Sequence, residues 1–278
     1  MVLWSSVPGL AACGGGAEGL TVFGAASLRD VLAAEVAADP ERAVRVSTGG
    51  SNLLVEQLLA GADADVVVTA SADELERLVA AGLLDPSDVR SLFTNQLVVI
   101  APLENEGAAA FDGTGDLAAF FDPEGGRIAL AHPVAVPAGR YARLWLEARG
   151  DWGALESRVL QALDVRAALA AVESGGAAFG VVYATDARTS DAVRIVHVVE
   201  DGPRVEYVGG VLAGSDASAM ARSFLGELDA HGADRAASAA TTARLAAAGF
   251  GVELPRDSAK IGASDEGGFG VPQSGEPR

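Results

Sequence analysis

The chain has 278 residues, half of them hydrophobic, which is enough for one large or two modest domains with real cores. Its 38 Asp and Glu against 20 Lys and Arg give a net charge of −18, so nucleic acid is excluded as a partner: no basic surface is available to displace phosphate counterions. The single lysine, Lys260, lies near the C-terminus, which removes P-loop and Schiff-base chemistry from the body of the chain, and the single cysteine, Cys13, has no internal disulfide partner.

The chain opens with Leu10-Ala11-Ala12-Cys13-Gly14, which resembles a bacterial lipobox, followed by a Gly-rich run to Gly19 that reads as a linker. Residues 1–10 carry no positive charge and too short an apolar stretch for a signal peptide, so the start is expected to be truncated. No segment is long and apolar enough to span a membrane. From residue 20 onward, short apolar runs alternate with Ala/Leu-rich helical runs. Strands are predicted over 20–23, 44–46 and 65–69, with helices over 27–38, 51–60 and 72–81. A second unit follows, with strands at 97–101, 127–131 and 179–183, a helix after Pro137 and another over 165–173. A long strand over 204–212 and helices over 217–231 and 235–248 complete the pattern. The alternation predicts an α/β fold with parallel sheet, and the strands at 97–101 and 205–212 are the candidate crossings between two lobes. The tail from Pro255 is rich in Gly, Ser, Asp and Pro and is expected to be disordered.

Two serines stand out. Ser27 follows Val22-Phe23-Gly24-Ala25-Ala26, and Ser51 follows Ser47-Thr48-Gly49-Gly50. Each reads as strand, tight turn and helix start, and Ser27-x-x-Asp30 approximates a capping box. A helix start offers unpaired N–H groups and the positive end of the dipole, a ready anion site to which a serine adds a hydroxyl donor. Either serine alone would be an ordinary N-cap. In a chain this acidic, an anion has to be held by local dipoles, since the global field opposes it.

Several segments then resemble bacterial molybdate-binding proteins, the extracytoplasmic receptors of ABC transporters. They are Val22-Phe23-Gly24-Ala25-Ala26-Ser27-Leu28, the stretch from Gly50-Ser51-Asn52 to Ala64-Asp65-Val66, Val136-Pro137-Ala138-Gly139-Arg140-Tyr141, Asp164-Val165-Arg166, and Gly180-Val181-Val182-Tyr183. They run in the family's order over roughly residues 20–253. The resemblance implies a two-lobed periplasmic-binding-protein (flytrap) fold, each lobe a mostly parallel sheet flanked by helices. The divisions are a leader over 1–19, a first lobe from 20–96 and 208–254, a second lobe over 97–207, and a tail over 255–278. It also implies a tetrahedral dianion, molybdate or tungstate, held by the Ser27 and Ser51 hydroxyls, the Ala138 and Val165 amides and the Tyr183 hydroxyl. The protein would then be a monomeric receptor, not an enzyme, without cofactor or directly ligated metal, delivering its ion to an ABC permease. It would be attached to the membrane only by a lipid on Cys13.

A buried dianion is tolerable only when its charge is spread over many donors. Each charge-assisted bond contributes roughly 1.5–3 kcal/mol net, and sub-micromolar binding needs about 8 kcal/mol or more. A donor-only site rejects a protonated anion by leaving its O–H unpaired. None of the five positions is a carboxylate, although Asp164 adjoins one. A sulfate- or tungstate-preferring receptor stays open, as does an enzyme or sensor on the same fold. Arg140 and Arg166 read as helix-surface residues in preference to anion ligands, and Trp145 and Trp152 as packing around the Pro137 helix. His132, His197 and His231 lack metal-ligand spacing, and Asp63 and Asp65 read as loop and strand-edge residues. Gly14-x-Gly16-x-x-Gly19 precedes the first strand instead of following it, so it is no dinucleotide site.

Overall fold

Runs such as Val66-Val67-Val68 and Val98-Val99-Ile100, in which nearly every side chain is fully buried, form strands covered on both faces. The computed structural model describes residues 19–104, 117, 126–230 and 235–252. Cys13, most of the 1–19 leader and the 255–278 tail lie outside the described residues.

The strands are β1 Leu20–Ala25, β2 Val44–Gly49, β3 Val66–Thr69, β4 Arg90–Asn95, β5 Leu97–Pro102, β6 Ile128–Ala131, β7 Val159–Ala162, β8 Phe179–Tyr183, β9 Val193–Val198 and β10 Val205–Val211. They form two five-stranded sheets, ordered β2-β1-β3-β10-β4 and β7-β6-β8-β5-β9. Each sheet is mixed. In the first, β1 pairs parallel with β2 and β3, while β10 runs antiparallel to β3 and β4. In the second, β6 pairs parallel with β7 and β8, while β5 runs antiparallel to β8 and β9. The mostly parallel sheets expected from the sequence are therefore parallel on one side only. The difference arises where the chain changes sheets, at Gln96 and again between Val198 and Val205, because a strand arriving from the other lobe enters antiparallel.

The main helices are α1 Arg29–Ala38, α2 Ser51–Leu59, α3 Ala72–Ala80, α4 Pro137–Arg149, α5 Trp152–Leu155, α6 Val165–Glu173, α7 Ala184–Ala187, α8 Ser218–Leu228 and α9 Arg235–Ala248. Strand periodicity divides the first lobe's core. Val66 and Val68 join one apolar cluster, while Val67 points the other way, into a cluster with Val55 and Leu58 of α2 and Leu75 and Leu78 of α3. The larger cluster is continuous through both lobes and includes Trp145 and Trp152. On the outer side, Arg244 Nε sits 2.6 Å from Glu35 Oε1 and ties α9 to α1. Among the described residues, no helix is long and apolar enough to cross a membrane.

Candidate functional site

The three parallel strands of each sheet end, at their carboxyl ends, at one cleft between the sheets. Loops at such ends connect to helix N-termini, which is why crevices of this kind gather ligands in α/β proteins. From the first lobe come Ala25, Ala26 and Ser27 after β1, Gly50 and Ser51 after β2, and Ala70 after β3. From the second come Val136, Pro137 and Ala138 after β6, Asp164 and Val165 after β7, and Tyr183 at the end of β8. Ser27, Ser51, Ala138, Val165 and Tyr183, far apart in sequence, thus line one cavity of about 10 Å³. That space takes a single small species. The four oxygens of a tetrahedral ion are each about the size of water, and their centres enclose only a few cubic ångströms.

Three of the segments place first-turn amides at the cavity. Ser51 opens α2 behind the N-cap Gly50. Ala138 is the second residue of α4, after Pro137, whose missing N–H costs a helix nothing at that position. Val165 opens α6, which is capped by Asp164 Oδ1 accepting from Ala167 N at 2.9 Å. First-turn N–H groups have no partner within their own helix, so the backbone itself gives these ends a partial positive charge. The close fit of α4 requires glycine at 139, where a Cβ would lie 2.1 Å from the Ala131 carbonyl oxygen and 2.5 Å from that of His132.

The Ser27–Asp30 capping box expected from the sequence is not formed. The chain first makes a 3-10 turn, Ala26–Leu28, and α1 begins at Arg29 with no side-chain cap. Ser27 is 3% exposed, and its hydroxyl is held instead by Tyr207, with Oγ and Oη 2.6 Å apart. Ser51 is not a cap either: its Oγ accepts from Ala70 N at 3.2 Å. Tyr183 is fully buried, yet its hydroxyl has no hydrogen-bond partner among the described residues. Burial pushes the Tyr183 phenol well above its usual range, so it stays protonated and can only donate a proton or accept a hydrogen bond, never carry charge.

Arg140 and Arg166 are not ordinary helix-surface residues. They sit in the first turns of α4 and α6, which face the opposite lobe, so their side chains span the cleft. Arg140 donates to Ser71 Oγ at 3.0 Å, Glu74 Oε1 at 3.2 Å and Asp73 Oδ2 at 3.3 Å. Arg166 donates to Asp30 Oδ2 at 2.5 Å and Thr189 Oγ1 at 2.9 Å, and pairs with Asp186 Oδ1 at 2.5 Å. Tyr141 adds a bond from its hydroxyl to the Ala70 carbonyl at 3.1 Å. The lobes are therefore clasped on two sides of the cavity. Burial lifts the fully buried Asp186 carboxyl to about 7, against the pull of the Arg166 guanidinium.

A family described as bacterial extracellular solute-binding protein matches residues 20–251. The chain belongs to this family. This solute-binding protein is 35% identical to the molybdate-binding protein ModA of Escherichia coli (strain K12) over 203 residues, 70% of the chain and 77% of that protein. It is 34% identical to ModA of Haemophilus influenzae over 224 residues, 78% of the chain and 86% of that protein. The periplasmic molybdate-binding protein of Azotobacter vinelandii superposes with a TM-score of 0.67 at 21% identity, covering 85% of this chain and all of that one, and so shares its two-lobed α/β fold.

Sequence reasoning missed Tyr207, Asn95 and Asp186 in this solute-binding protein. Tyr207 sits mid-strand among apolar residues and reads as core, and Asp186 reads as one more acidic residue in an acidic chain. The Asn95-Gln96 pair between two apolar runs was the one available signal of a polar hinge.

Proposed function

We propose that this protein captures molybdate, with tungstate as the nearest competitor, and hands it to the permease of an ABC importer without transforming it. The observation that carries the reading is the convergence of Ser27, Ser51, Ala138, Val165 and Tyr183 on one small cavity. The relatives named for molybdate binding support the choice of ion. The described residues that line the cavity include no lysine, arginine, histidine or cysteine, so a bound anion would meet dipoles in place of countercharges.

In this reading the ion first meets the hydroxyls of Ser27 and Ser51 in the open protein. Closure then brings the Ala138 and Val165 amides and the Tyr183 hydroxyl onto the remaining oxygens. Tyr183, without a hydrogen-bond partner among the described residues, gains the partner that a buried donor needs. The Arg140 and Arg166 clasps hold the closed state, which docks on the permease. Asp164, the one carboxylate at the cavity, is bound as the α6 cap. The protein works outside the cytoplasm as a monomer. Cys13, within its lipobox-like sequence, is the point of lipid attachment.

Calorimetric titration with molybdate, tungstate and sulfate tests the proposal. Sub-micromolar molybdate binding with a one-to-one stoichiometry is expected, and a clear preference for sulfate, or no binding of any of the three, would overturn it.

A further inference from the structure

The hydrogen bonds behind Ser27 have a direction, and the direction can be worked out. Asn95 ends β4, beside the crossing at Gln96. Its Oδ1 accepts from Gln96 N at 2.9 Å, which fixes the amide so that Nδ2 faces inward. The two Nδ2 protons go to Thr185 Oγ1 at 2.9 Å and to Tyr207 Oη at 3.3 Å. Tyr207 Oη therefore accepts from Asn95, and the phenol has one proton of its own to place. Tyr207 is 0% exposed, and Ser27 Oγ, at 2.6 Å, is the only acceptor recorded for that proton among the described residues. The opposite arrangement, with Ser27 donating, would leave a buried phenol proton unpaired, at a cost of about 1–3 kcal/mol. So Tyr207 donates to Ser27, and the Ser27 proton is free to point into the cavity. The Phe93 ring, stacked on Tyr207 at a centroid distance of 5.0 Å, holds the phenol in place.

Ser51 is biased in the same sense by a different device, since its Oγ already accepts from Ala70 N. The asymmetry lies in where the bias originates. For Ser51 it is local to the first lobe. For Ser27 it starts at Asn95, which at the same time bonds Thr185, two residues past Tyr183 in the second lobe.

We propose that Asn95 and Tyr207 are positioning residues that fix Ser27 as a hydrogen-bond donor. The chain Asn95 to Tyr207 to Ser27 favours proton-free anions at the site: a hydrogen phosphate ion, which must donate its own proton, meets at Ser27 a hydroxyl turned to donate and already accepting from Tyr207. The inference rests on the anion-binding reading above and adds to it the residues that set selectivity.

Two substitutions separate this role from simple packing. Tyr207→Phe removes the donor to Ser27 and lets the serine rotate. Asn95→Asp replaces the amide donor with a carboxylate that accepts from Tyr207, so Ser27 must donate to Tyr207 and turn its lone pairs to the cavity. Calorimetry with molybdate and, separately, with inorganic phosphate at mildly alkaline pH, where phosphate is the singly protonated dianion, reads both. For Tyr207→Phe, molybdate affinity is expected to fall about tenfold, equivalent to one hydrogen bond of ordinary strength. For Asn95→Asp the fall should be larger, and in both variants the ratio of molybdate to phosphate affinity should narrow. Equal losses for both anions, or an unchanged ratio in variants whose melting temperature shows them folded, would overturn the proposal. Failure of the unsubstituted protein to bind any oxyanion would instead overturn the reading on which it rests.

Discussion

Replacing Arg140 by Met tests the idea that affinity is set partly outside the cage. The substitution keeps the aliphatic stem and removes the guanidinium, which touches Ser71, Glu74 and Asp73 across the cleft. The three contacts are unequal. Asp73 is 74% exposed, so its pair with Arg140 contributes close to nothing. Glu74 is 2% exposed but also pairs with Arg77 of its own helix at 3.1 Å, so its loss is partial. Ser71 is buried and loses a charged donor outright. With Arg140 itself 26% exposed, the sum is about 2 kcal/mol of closure energy, or roughly a 30-fold rise in the dissociation constant. In the proposed order, with capture before closure, the change should fall on the dissociation rate and leave association nearly untouched. Stopped-flow mixing with molybdate, followed by competition with tungstate, measures both rates. An unchanged dissociation rate, or a loss confined to association, would refute the argument that Arg140 acts by holding the lobes together.

Three further substitutions probe the cage and its surroundings. Ser51→Ala should weaken molybdate binding by about 10- to 100-fold, the loss of one charge-assisted bond, with the circular dichroism spectrum unchanged; unaltered affinity would show that the hydroxyl does not face the ion. Tyr183→Phe should cost a similar factor while leaving the melting temperature of the ligand-free protein in place, because the hydroxyl has no partner to lose among the described residues; a lower melting temperature with normal affinity would make it a structural group. Asp186→Asn should flatten the dependence of stability on pH. The buried carboxyl titrates near 7 in the folded protein against 3.8 in a model peptide, so its contribution is complete below 3.8 and is lost as pH rises through about 7. Parallel urea-unfolding profiles for the two proteins across that range would contradict the assignment.

The fold was legible wherever a segment's pattern is enforced by burial on both faces or by an unbroken helical stripe. The helices Val165–Glu173 and Arg235–Ala248 and the strand Phe179–Tyr183 have the limits their sequences predict. Strands β4, β7 and β9 escaped because they lie at sheet edges, where half-exposed residues dilute the apolar signal. At the site, strand–turn–helix grammar located Ser27 and Ser51, and the resemblance located the other three. The local role was misread for Ser27 because a capping motif describes neighbours in sequence, whereas its hydroxyl answers to Tyr207, 180 positions away. Arg140 and Arg166 stay out of the cavity lining, as expected, but the surface on which they lie meets the other lobe, a contact that local sequence does not report.

The two passages of the chain between sheets run side by side. Gln96 Nε2 donates to the Val199 carbonyl at 3.3 Å, Val199 N donates to the Leu97 carbonyl at 3.0 Å, and Val205 pairs with Asn95. One tether would let the halves swivel freely, but two adjacent tethers stitched to each other permit rotation about a single line and resist torsion. In the proposed cycle, opening and shutting would thereby be reduced to one mechanical coordinate, like a door on paired pins, and the groups on the two halves would meet in register without a search over orientations.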